Sequence, residues 1–163
     1  MKALALTLAA VASVAYTALP AHAQQQKTTL TLAAAKKMAQ ACEARAEKEG
    51  WNMIVAVMDD GGNLKYLSRM DNSFLGSVEI AQLKANTSAS FPFSTRQVGE
   101  IASKNVPGIA YVPGVVTFAG GLPIVTAKGE HIGSIGVSGN SADNDEVCAQ
   151  AALDAVKSDL GLN

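Results

Sequence analysis

Met53-Ile54-Val55-Ala56-Val57-Met58, then Asp60-Gly61-Gly62-Asn63, then Leu64-Lys65-Tyr66-Leu67-Ser68-Arg69 is the stretch that decides the fold. A short, continuous apolar run bounded by turn residues reads as a buried strand. The Asp-Gly-Gly-Asn segment tolerates positive φ, and Leu64 to Arg69 returns as a hairpin partner. Strands joined by so short a turn pair antiparallel, because a parallel neighbour needs a long crossover.

Working outward, Thr31 to Glu49 places Ala35, Met38, Ala39, Cys42 and Ala46 at helical spacing, with Lys36, Lys37, Glu43 and Glu47 elsewhere. Thr31 is a natural N-cap and Gly50 a natural stop. Downstream, Ser77 to Ser88 is a second helix, with Val78, Ala81 and Ala85 on one face and Ile80 and Leu83 on the opposite one, as if covered on both sides. A shorter helix fits Thr95 to Ser103. Ile109 to Phe118 is irregular or extended, because Pro113-Gly114 breaks any regular pattern. Leu122 to Thr126 and His131 to Ser138 form a hairpin across Lys128-Gly129-Glu130. Asp143 with Glu146 gives a capping-box pattern for a last helix running to Gly161. This order predicts a single α+β domain with an antiparallel sheet, helices on at least one face, and the first and last helices side by side.

The N-terminus carries a different message. Lys2, an apolar run from Ala3 to Leu19, Pro20 and Ala21-His22-Ala23 have the form of a secretory signal cleaved after Ala23. The domain then spans residues 24–163, and the expected location is periplasmic or secreted. The uncharged stretch from Val106 to Ala127 is interrupted by Pro107, Pro113 and Pro123 and by four glycines, so no spanning helix is expected there. With 13 Lys and Arg against 14 Asp and Glu, the chain shows no basic stripe and no nucleic-acid partner is expected. Cys42 and Cys148 are the two cysteines. In an exported protein an even count invites a disulfide, which requires the two terminal helices to be neighbours; the alternative is two buried free thiols.

Strong catalytic signatures are absent: no C-x-x-C, H-E-x-x-H, G-x-S-x-G or G-x-x-x-x-G-K occurs. His131, the sole histidine after the signal, excludes a multi-histidine metal site within one subunit and reads as a solvated hairpin residue or a haem ligand. Three constellations remain. Arg69-Met70-Asp71 sets a cation, a thioether and a carboxylate where the second strand ends; Arg69 could clamp a carboxylate, or simply pair with Asp71 at the surface. Phe118-Ala119-Gly120-Gly121-Leu122-Pro123 places paired glycines before a strand, suiting a tight turn or a backbone approach to a ligand. Gly133-Ser134-Ile135-Gly136-Val137-Ser138-Gly139 runs toward Asp143, Asp145 and Glu146; its glycines mark close approach by another element, and its acids suit a helix start.

Taken in succession, Leu32 to Glu49, Ile54 to Asp59 with Gly61 or Gly62, Arg69-Met70-Asp71, Ile80-Ala81 with Lys84-Ala85, Gly120 to Ile124, Ile132 to Gly139 and Asp145-Glu146 resemble the GlcG/HbpS-like family of haem-binding proteins, to which the C-terminal domain of PduO-type proteins is related. The resemblance implies a profilin-like layout with about five antiparallel strands flanked by helices, and assembly into a homo-oligomer. It also implies a small-molecule ligand, haem or a related tetrapyrrole, for sensing, storage or protection against oxidants. Carried over by position, Arg69, Met70, Asp71, Lys84, Gly120, Gly121 and Pro123 would line or support the pocket. The first helix holds no histidine, so His131, Met70, Tyr111 or Cys42 would have to supply an axial ligand. Two other readings stand beside this one. The first is an enzyme acting on a small organic acid or carbonyl compound, with Arg69 as anchor and Lys84 with Asp71 or Asp145 as proton-transfer groups. The second is a structural oligomer in which the glycines serve packing.

Overall fold

A computed structural model describes residues 27–162, so the expected signal sequence lies outside the described residues. The elements are α1 (Leu32–Glu49), β1 (Ile54–Asp59), β2 (Leu64–Arg69), α2 (Ser77–Ser90), α3 (Thr95–Lys104), a 3-10 turn η1 (Pro107–Tyr111), β3 (Gly121–Val125), β4 (His131–Ser138) and α4 (Ala142–Leu160). All strand pairs are antiparallel, in the order β2-β1-β4-β3. The sheet has four strands rather than about five, because Pro107 and Pro113 turn the segment between α3 and β3 into η1 and loop.

Both faces of the sheet are covered, which is why β1 reads as an unbroken apolar run. Met53, Val55 and Val57 join Ile135 and Val137 of β4 in the core shared with α1 and α4. Ile54, Ala56 and Met58 point the other way, toward Ala81 and Ala85 of α2. Along α1 and α4 the facing residues are small: Ala35, Ala39, Cys42 and Ala46 meet Cys148, Ala149, Ala152 and Val156. Cys42 and Cys148 are joined as a disulfide across 106 residues of sequence. Closing so long a loop restricts the unfolded chain by about 4 to 5 kcal/mol in the chain-entropy account.

Capping departs from the expected pattern. Ser141 caps α4, its side chain accepting from the Asn144 N–H, so Asp143 lies in the first turn and the expected Asp143/Glu146 box is not the cap. A full capping box forms instead on α3, between Ser94 and Gln97.

The second face depends on close approach. A Cβ on Gly136 would lie 2.1 Å from the Ala81 carbonyl oxygen and 2.4 Å from the Ala85 nitrogen, so α2 lies backbone to backbone on β4. Ser134 Oγ donates to the Ala85 carbonyl at 2.7 Å and ties the same contact. Gly136→Ala should therefore push α2 off the sheet and destabilise the domain by about 3 kcal/mol, the upper part of the usual overpacking range. Urea denaturation of the two proteins measures this, and an unchanged midpoint would contradict the account.

Candidate functional site

Close seating of α2 sends Lys84 inward. Its ammonium is fully buried, donating to Asp145 Oδ2 at 2.7 Å and to the Val137 carbonyl at 2.9 Å. Asp145, in the first turn of α4, also accepts the Asn140 N–H through Oδ1 at 3.0 Å. Gly120 makes the space. It has φ +116°, and a Cβ there would sit 2.6 Å from Lys84 Nζ and 2.9 Å from Asp145 Cβ. Gly121 lies equally close to α2, its Cβ position 2.6 Å from the Lys84 carbonyl oxygen. The Phe118 ring covers the ammonium, with Nζ 4.9 Å from its centroid, while Phe118 itself is 47 % exposed. Lys84, Asp145, Gly120 and Gly121 thus converge around a buried ion pair, apart from the Arg69, Met70, Asp71 and Pro123 expected to share a pocket with Lys84 and the two glycines.

Removal from water dominates the electrostatics of this pair. Burial pushes the Lys84 ammonium below its ordinary pKa of 10.5, against the raising effect of Asp145. The same burial pushes the Asp145 carboxyl up, against Lys84 and the backbone N–H groups that lower it. The pair therefore holds its charges by mutual contact, and removing one partner exposes the cost for the other.

Arg69, Met70 and Asp71 sit at a different place. Beyond β2 the Met70 N–H donates to the Met53 carbonyl, and Met70 Sδ accepts the Met53 N–H at 3.4 Å. Asn72 turns the chain with φ 60°. The Arg69 guanidinium makes only long contacts to Ser73, 3.4 Å to Oγ and 3.5 Å to the carbonyl. It forms no ion pair with Asp71 or with any other described carboxylate, so the expected Arg69–Asp71 surface pair is not present among the described residues. Arg69, Met70 and Asp71 share an open, polar concavity of about 400 Å³ with Glu43, Glu47 and Asn52. Directly after it come Phe74 and Leu75, 70 % and 78 % exposed.

The remaining candidates are scattered. Pro123 lines a separate hollow, on the β3 side of α4, with Val125, Leu153 and Leu162. His131 Nε2 is enclosed and has no hydrogen-bond partner among the described residues, so it faces protein rather than an open slot. Cys42 is committed to its disulfide and is no free ligand. Tyr111 is exposed on η1. Sequence reasoning included Phe118 in the glycine constellation without giving it a role, and passed over Phe74 and Leu75. The aromatic beside a glycine pair was a usable signal for Phe118; nothing local distinguished Phe74 and Leu75 from core residues.

Replacing Asp145 with asparagine keeps the shape and leaves Lys84 without its counter-charge, at a cost of about 3 to 5 kcal/mol near pH 7. The folded-state pKa of Lys84 then falls further below 10.5. Between that value and the unfolded one the unfolded chain binds the proton more tightly, so stability rises with pH. Urea titrations near pH 7 and pH 9.5 should show the deficit of Asp145→Asn shrinking at the higher pH.

Comparison with known proteins agrees with the fold. The sequence profile of a family described as "Haem degrading protein HbpS-like" matches residues 30–154. A 15.0 kDa protein of Citrobacter freundii, from the dhaT-dhaS intergenic region, is 38% identical over 137 residues, which cover 80% of this chain and 94% of that one. The crystal structure of HbpS is similar at TM-score 0.77 and 37% identity, over 86% of this chain and 99% of that chain. That of a PduOC:haem complex is similar at TM-score 0.72 and 26% identity, over 78% and 95%. From the residue before the α1 cap to the middle of α4 the sequence follows one family profile, and the chain belongs to the HbpS-like family.

Proposed function

We propose that this is an exported, homo-oligomeric protein that binds haem or a related tetrapyrrole at the corner formed by Arg69, Met70, Phe74 and Leu75. The observation that carries the reading is an Arg69 guanidinium that forms no ion pair among the described residues, in a turn that leads through Ser73 to the exposed Phe74 and Leu75. A planar ligand with carboxylate arms needs both, a cation for the arm and an apolar surface for the ring. Family membership and the similarity to a PduOC:haem complex support the same ligand class.

The residues fit the ring and its carboxylates better than they fit the iron. Met70 Sδ is the sequence-expected donor that lines this corner, and it would have to release the Met53 N–H to reach a metal. Haem, when bound, would supply an iron centre for redox chemistry. The chain's own contribution is to hold a carboxylate at the Arg69 guanidinium and to shelter the ring against Phe74 and Leu75. Assembly of several copies would cover the outer side of those two residues.

Export is supported by the Cys42–Cys148 disulfide, which suits an oxidising compartment. Expression of the full chain in a bacterial host should yield a periplasmic or secreted product whose N-terminal residue is Gln24; an intact Met1 on cytoplasmic protein would refute export.

The ligand reading is tested by titrating haem into the mature protein, following absorbance and, by light scattering, mass. Saturation at a fixed ratio of haem to subunit is expected. Arg69→Ala should weaken it about tenfold or more, the usual worth of a charge-assisted contact. A featureless titration with an unchanged oligomer would favour the structural-oligomer reading.

A further inference from the structure

The Lys84–Asp145 pair is not used by the ligand reading above. It lies beneath a side chain that belongs to two places at once: Phe118 roofs the Lys84 ammonium, and it also forms the wall of an open concavity of about 400 Å³ with Arg96, Gly99, Glu100, Thr117 and Asp143. Turning this ring outward would join the amine to the concavity.

We propose that Lys84 is an amine that captures a small, uncharged aldehyde or ketone as an imine, with Asp145 as its proton carrier and Phe118 as the movable cover. Asp145 accepts one proton from the ammonium across the 2.7 Å contact, leaving a neutral amine. The nitrogen lone pair adds to the carbonyl carbon, the carbon–oxygen π pair moves to oxygen, and a proton passes from nitrogen to that oxygen to give a carbinolamine. Asp145 then returns its proton to the hydroxyl, water leaves, and the nitrogen lone pair closes the carbon–nitrogen double bond. The product iminium keeps the single positive charge beside the Asp145 carboxylate and the Phe118 ring, so charge is the same before and after. Neither oxidant nor reductant is needed. Burial of Lys84 lowers its basicity, the direction a nucleophilic amine requires. Gly120 leaves room at Nζ where any side chain would block it.

Charge at the mouth selects the substrate class. The cation there, Arg96, is already matched by Asp143 at 2.5 Å and Glu146 at 3.1 Å, and Glu100 shares the same wall. Asp143 is 79% exposed, and with Lys104 set against Glu100 at 4.0 Å the mouth keeps one carboxylate more than it has cations, so the entrance is acidic and repels organic acids. This departs from the organic-acid substrate the sequence allowed, and it sets Lys84 apart from Arg69, which lines a different concavity.

The test is reductive trapping on the mature protein. Acetaldehyde or glyoxylate is added with sodium cyanoborohydride, and peptide mass mapping gives the labelling rate of each lysine. Lys84 should be labelled by acetaldehyde faster than the exposed Lys36, Lys48 and Lys128. Relative to those lysines it should prefer acetaldehyde over glyoxylate about tenfold, the effect of roughly one uncompensated like charge. Phe118→Leu and Phe118→Ala should raise the Lys84 rate by thinning the cover. A wild-type Lys84 labelled no faster than the surface lysines would overturn the proposal, and a preference for glyoxylate would overturn its substrate class.

Discussion

The far side of this molecule is organised by the contact of α2 with β4, where two backbones meet with no side chain between them. Gly136 faces the Ala81 carbonyl and the Ala85 nitrogen, and Ser134 bonds the Ala85 carbonyl. With the helix this close, the next residue inward, Lys84, has no path to solvent along the sheet and must find its partners inside. It finds them in the Val137 carbonyl and in Asp145 at the start of α4. Packing thus forces a charge into the interior, and a carboxylate from a distant part of the chain makes that tolerable. A helix seated higher on the sheet would leave an ordinary surface lysine.

That dependence also explains which parts of the structure were legible in the sequence. The β1–β2 hairpin was readable because an apolar run and an Asp-Gly-Gly-Asn turn are local signals. Helical spacing in residues 31–49 and 147–160 placed the two cysteines on elements that could be neighbours, and the structure joins them. The glycines of β4 announced close approach but not by what. Lys84 was ambiguous for the same reason: its burial is decided by residues more than 30 positions away, at Gly120, Gly136 and Asp145. The two hairpins read from the residues are the four strands of the sheet, and the count of about five came from the family resemblance rather than from residues 109–118, where the prolines already break any regular pattern.

Two regions with different chemistry emerge on one small scaffold. At the end of β2 an exposed cation shares an open, polar concavity with Glu43, Glu47 and Asp71, and the exposed Phe74 and Leu75 follow in sequence. Between α2, α4 and the start of β3 a dry ion pair lies under one aromatic ring, with acidic groups outside. Arg69 and Arg96 illustrate the difference. One is without an acidic partner in the described chain, the other is held between two carboxylates.

The bond between Cys42 and Cys148 has a mechanical meaning as well. Any tension applied at the two ends of the domain enters through α1 and α4 and is carried across at the sulfur atoms, so the 106-residue span between them bears no load. Pulling can peel only the first half of α1 and the last turns of α4; the sheet, α2 and both concavities stay slack inside a covalent ring. A cut in the exposed η1 segment would open that ring without releasing either piece.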